Sequence, residues 1–285
     1  MRTITTRSGF MARISPAVRF AATVLLVSAA SFSVMLKSHS TLLPQAHADT
    51  AFSELTLADA WLETLPQLAE PVSWSHAYGL LAKDQQHFQQ ERRYLIEELN
   101  TLIISTQVAG NISYRQALVA WQEALRGLEH QPLRSPERLD LPKLGANLRE
   151  APLLSRVVNW GACEIPTWVE VWGLQGVTRI AWQPGMTLDT LIHDLTPRDF
   201  TSIDYVHLIT PQGEVIHRGI AAWNHEETPL APGSRIAIEL PNRQGLRGAL
   251  PFPGVTHELD IINQRLPGVL AAQLPGDQCS QWQVQ

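Results

Sequence analysis

The chain has 285 residues, 45% of them hydrophobic and 17% charged, with 19 Pro, 17 Gly and two cysteines, a folding composition that excludes a collagen-like or disordered polymer. Its length suits two modest domains better than one small core. The formal charge is −5, but the first 48 residues hold five basic groups and no acid, leaving 17 basic and 27 acidic residues in the remainder, so a nucleic-acid partner does not fit that surface.

Arg2, Arg7, Arg13 and Arg19 precede a charge-free run from Phe20 to Leu36, the layout of a basic leader and its apolar segment. Ala46-His47-Ala48 puts small residues at the two positions a signal peptidase reads, so residues 1–48 are expected to be a signal peptide cleaved before Asp49. The alternative is an uncleaved amino-terminal anchor, and both readings export residue 49 onward. No later apolar stretch has the length of a bilayer span.

In a first domain over 49–160, Phe88, Leu95, Ile96, Leu99, Leu102 and Ile103 recur at threes and fours and predict one long amphipathic helix. Gly110 and Asn111 break it. Ser113 and Gln116 then read as a capping box before a second helix striped by Ala117, Leu118, Trp121, Leu125 and Leu128. The short connection makes residues 83–128 an antiparallel helical hairpin. Residues 129–160 are rich in Pro and Arg and read as a linker that can return a strand to this domain.

From Thr167 to Gly173 the pattern alternates, with Trp168, Glu170 and Trp172 on one face. A second strand over 179–182 ends at Pro184-Gly185, and Thr187 caps a short helix presenting Leu188, Leu191, Ile192 and Leu195. Two more strands, 205–210 and 214–218, flank the turn Thr210-Pro211-Gln212-Gly213, and Pro232-Gly233 precedes a last strand at 235–240. Hairpin, helix, hairpin, last strand is the order of a β-grasp, placed at 161–245 in an α+β chain. Leu55-Thr56-Leu57 upstream echoes Met186-Thr187-Leu188, which fits a first β-grasp split by the helical hairpin.

The terminal segment 246–285 holds an amphipathic helix whose stripe is Leu259, Ile262, Leu266, Val269 and Leu270. That stripe either docks a partner helix or membrane surface, or packs on its own domain. Pro267 is expected to kink or break this helix. Cys163 and Cys279 are an even pair and form either a disulfide or two free thiols.

No phosphate loop, GxSxG or HExxH motif is present, and no cofactor is expected. A turn closing with Thr210 opposite Gly213 puts His207 and His217 on opposite faces of the sheet, which argues against a shared metal ion; His225, Glu226 and Glu227 read as solvated loop residues. All nine tryptophans follow residue 48. Indoles stack on the C–H faces of sugars, so Trp168, Glu170 and Trp172 can form a glycan platform; the competing reading is that these rings pack inside the domain.

The run Ile209-Thr210-Pro211-Gln212-Gly213-Glu214-Val215, continued by Ala222-Trp223-Asn224 and Pro232-Gly233-Ser234-Arg235, resembles the GfcC-type capsule biosynthesis family of Gram-negative periplasms. Trp182-Gln183-Pro184-Gly185 and Leu259-Asp260-Ile261-Ile262-Asn263-Gln264 add to the resemblance, which covers about residues 167–275. It implies two β-grasp domains related to those of polysaccharide export channels, a hairpin inserted in the first, and a carboxyl-terminal amphipathic helix. It also implies a non-enzymatic periplasmic accessory in capsule or exopolysaccharide export, with export proteins as partners and the capsular polysaccharide as an alternative partner. Family members place an arginine in a pocket of the first domain, for which Arg134 and Arg138 are the candidates. Residues 49–54 are too short to display the edge strand with which family members begin.

Overall fold

The computed structural model describes residues 55–68, 71–195, 203–240 and 255–283. The expected leader and residues 49–54 lie outside them. Six α-helices and eight strands occur among the described residues, and no helix there is long and apolar enough to cross a membrane.

Helix α1 (Leu57–Thr64) begins at Thr56, whose hydroxyl accepts the Asp59 amide while the Asp59 carboxylate accepts the Thr56 amide. Strand β1 (Ala77–Leu81) leads into α2 (Ala82–Val108), and α3 (Ile112–Gly127) returns beside it. The cap of α3 is Asn111, which accepts the Tyr114 amide; Ser113, expected in that role, lies inside the helix. Either side chain can cap, and the turn at Gly110 (φ 72°) delivers Asn111 first.

Helix α4 (Leu141–Ala146) precedes β2 (Val157–Cys163). That strand crosses the expected boundary at 160, pairs antiparallel with β1, and pairs on its other side with the tail strand β8 (Cys279–Gln283). Cys163 stands opposite Cys279 in this ladder and is bonded to it.

The second sheet has the order β4-β3-β7-β5-β6. Its members are β3 (Trp168–Gly173), β4 (Gly176–Ala181), β5 (Tyr205–Ile209), β6 (Val215–Gly219) and β7 (Arg235–Ile238). Strands β3 and β7 are parallel at its centre and the other pairs antiparallel, with α5 (Leu188–Leu195) between β4 and β5 in the chain. Thr187 caps α5 by accepting the Thr190 amide.

The echo between the two Thr segments extends to their surroundings. Thr56 bridges Leu153, Leu57 N–H donates to Pro152, and Leu154 N–H donates to Leu55. Thr187 likewise bridges Pro229, Leu188 N–H donates to Thr228, and Leu230 N–H donates to Met186. After each capped helix of eight residues a strand follows (β1, β5) that pairs antiparallel with a later one (β2, β7). The helical hairpin α2–α3 occupies in the first half the place between paired strands that β6 occupies in the second.

Two expectations about faces are corrected. The β5–β6 hairpin pairs Ile209 with Val215 and His207 with His217, not His207 with Ile216. The loop holds three residues, Pro211-Gln212-Gly213, closed by hydrogen bonds between Thr210 and Glu214, with Gly213 at φ 89°. One extra residue in a turn exchanges the faces of the strand that follows it. Helix α6 (Val255–Ala271) runs through Pro267 without ending there, and its stripe Leu259, Ile262, Leu266, Val269 and Leu270 is buried in a core shared with Leu95, Leu99 and Leu102 of α2. That stripe is therefore an internal packing face and offers no docking surface to a partner or membrane. An ion pair between Arg265 and Glu91 holds the rim of this contact.

Candidate functional site

Trp172 and Glu170 do not form a platform for sugars. Trp172 is 1% exposed, its ring meets Trp121 of α3 edge-on, and its indole N–H donates to Glu170 Oε1 at 2.9 Å. Alternation put these side chains on one sheet face as expected, but α3 covers that face, and Trp121 N–H donates to the Gly173 carbonyl. Trp168 is half-buried at the end of the row, with the Arg179 guanidinium 4.1 Å above its ring and Asp277 accepting its N–H.

Around Glu170 the structure assembles a buried charge network. Arg179 Nε donates to Glu170 Oε2 at 2.9 Å, and Arg235 Nε lies 3.4 Å from Oε1. Burial alone would raise the Glu170 carboxyl; Arg235, the Trp172 indole and Arg179 together outweigh it and hold the group below the ordinary carboxylate range. Arg235 is itself buried, which lowers its pKa against the pull of Glu170.

The two arginine candidates have different surroundings. Arg134 is 2% exposed and donates to the carbonyls of Ala271 (2.7 Å), Pro211 and Thr210 (3.5 Å). It clamps the end of α6 and the β5–β6 turn to the segment after α3. Burial, and secondarily the charge of Arg235, push its guanidinium down to about 9, so it remains protonated at neutral pH. Arg138 instead faces a cleft and pairs in a fork with Asp140 (2.9 and 3.1 Å). Asp140 is the cap of α4 and accepts the Lys143 amide, so the same carboxylate fixes both the helix start and the arginine.

That cleft encloses about 850 Å³ between the end of β1, α4 and the loops up to β2. Lys83, Arg138, Lys143, Arg149 and Arg156 line it against two acids, Glu137 and Glu150, over a floor that includes Leu139 and Leu144. Lys83 is paired with Glu137 and Arg138 with Asp140, whereas Lys143, Arg149 and Arg156 have no carboxylate within 4 Å among the described residues. A cationic concavity of this size on an acidic chain suits an anion as large as an acidic sugar or a short stretch of acidic glycan. Sequence reasoning reached Arg138 only through a resemblance and missed Lys143, Arg149 and Arg156. Their one signal is the excess of cations in a segment whose prolines argue against a helix; the structure corrects that expectation, because Pro142 sits in the first turn of α4, where its missing N–H costs nothing.

No protein-family model matches the chain, and no curated protein matches it.

Proposed function

We propose that this chain is an exported, periplasmic accessory of capsule or exopolysaccharide assembly that works by recognition rather than catalysis. One observation carries the reading: the chain repeats a unit of Thr-capped helix followed by antiparallel strands, with the second copy in the order hairpin, helix, hairpin, last strand parallel to the first. This arrangement supports two β-grasp units, the first split by a helical hairpin, and with it the resemblance to GfcC-type proteins drawn from residues 167–275. The Cys163–Cys279 disulfide agrees with an oxidising compartment. Photocrosslinking from surface positions in cells is expected to trap components of the polysaccharide export machinery. Repeated capture without any envelope polysaccharide protein would defeat the proposal.

A second reading, direct contact with the exported polymer, is favoured by the basic cleft. The ligand would then be an acidic oligosaccharide held by Lys143, Arg149 and Arg156, with the apolar floor under its ring faces. Replacing Lys143 and Arg156 together by Glu is expected to abolish binding of acidic oligosaccharide in a calorimetric titration. Binding that survives this change, or that is equal for neutral sugars, removes the cleft from the account.

A further inference from the structure

The register of the β5–β6 hairpin places His207 directly opposite His217, and His207 is also opposite Ala237 of β7. Glu239, two residues on from Ala237, shares that sheet face by alternation. Nε2 of His207 and Nε2 of His217 approach the same carboxylate oxygen, Oε1 of Glu239, at 3.1 and 3.0 Å. The three donor atoms all lie within 4.8 Å of one another. Strands β5 and β6 and the residue that follows β7, neighbours in the order β7-β5-β6, thus bring one donor each to a single point.

Two imidazole nitrogens and one carboxylate oxygen make a donor set for borderline first-row cations, and a poor one for Mg²⁺ or Ca²⁺, which need six or more oxygens. Bonds of about 2.0–2.2 Å to a common tetrahedral ion would set the donors about 3–4 Å apart, close to the two His–Glu separations here. We propose that His207, His217 and Glu239 form a binding site for a divalent cation of the zinc class, with its fourth position open to solvent or to a ligand from a partner. Access is provided by exposure of half the His217 side chain. Orientation comes from the backbone ladder and from Tyr205, whose ring stacks on His217 at 4.6 Å and in turn meets the exposed Trp223 edge-on at 6.0 Å. Nδ1 of His207 is buried without a hydrogen-bond partner among the described residues. A site lacking that outer support binds roughly 10–100-fold more weakly than a fully backed one.

Calorimetric titration of the purified chain with Zn²⁺ at pH 7.5 is expected to show one saturable equivalent. His217→Ala and Glu239→Gln should each weaken it roughly tenfold or more, while His225→Ala, outside the cluster, leaves it unchanged. Mg²⁺ and Ca²⁺ at the same concentration should neither bind nor compete. Circular dichroism checks each variant; should His217→Ala lose its fold, Glu239→Gln, which preserves side-chain shape, decides the matter. Failure of the parent chain to bind zinc saturably, affinity equal to the parent's in both ligand variants, or effective competition by Ca²⁺ would each overturn the assignment.

Discussion

Within the second sheet, Glu170 ties β3 to β4 and β7 through Arg179 and Arg235. It is the carboxylate facing Arg235, and both side chains are almost fully buried. Arg235 also donates to the Leu274 carbonyl at 2.7 Å and lies 5.4 Å from the centroid of the Trp168 ring, and its Nη1 has no hydrogen-bond partner among the described residues. Replacing Glu170 by Gln keeps the shape and leaves the cation without its counter-charge. Breaking a buried pair in this way costs about 3–5 kcal/mol. A urea unfolding titration of Glu170→Gln should therefore show a midpoint well below the parent's with an unchanged slope, whereas Asp277→Asn, which removes an exposed partner of Arg179, should cost about 1 kcal/mol or less.

The β5–β6 hairpin shows how far a sequence can be read and where reading stops. Its strands follow from alternation and its turn from Pro211 and Gly213, but the facing of β6 depends on whether the loop has two residues or three. Gly213 settles that by adopting φ 89°, and a Cβ there would lie 3.2 Å from the Arg134 guanidinium. Gly213→Ala should thus destabilise the chain by about 1–2 kcal/mol from the left-handed backbone alone, with a further loss where the new methyl displaces Arg134. Denaturant titration measures the cost, and a change near the ordinary surface level would show that the turn relaxes to another form. The same boundary runs through the other elements. Helices α2 and α3 were legible because a 3.6-residue period survives along them, and the Thr187 cap because its hydroxyl acts within four residues. Periodicity assigned Glu170 and Trp172 to one face and Leu259 to Leu270 to another, but it carries no information on what lies opposite. Trp121 of α3 and the leucines of α2, distant in sequence, cover those faces and turn both surfaces into core. The cleft was invisible for a different reason: Lys143, Arg149 and Arg156 belong to no repeating pattern and meet only once the chain is folded.

For the molecule as a whole, two buried groups, His76 and Glu170, set acid pH against the fold. His76 is buried between the β1 side and the second sheet, with Nε2 3.2 Å from the Pro232 carbonyl and Nδ1 within hydrogen-bond reach of Ser73 and Ser75. Burial lowers its pKa from 6.5; the Pro232 carbonyl opposes that shift and the nearby Arg134 charge reinforces it. The unfolded chain therefore takes up a proton near pH 6.5 that the folded chain refuses, so stability falls as pH drops below that value until the folded imidazole also titrates. Glu170 acts in the same sense lower down. Its folded pKa lies below 4.5, so its contribution is complete above that pH and is lost as the acidity reaches the folded value. Melting temperature measured between pH 8 and pH 3 should hold steady at the upper end, decline through a first step beginning near 6.5, and fall more steeply below about 4.5. His76→Gln retains an amide that can donate to Pro232 but carries no titrating group, so it should erase the first step and keep the second. A first step that persists unchanged in His76→Gln would place the acid-sensitive group elsewhere and remove His76 from the account of the pH dependence.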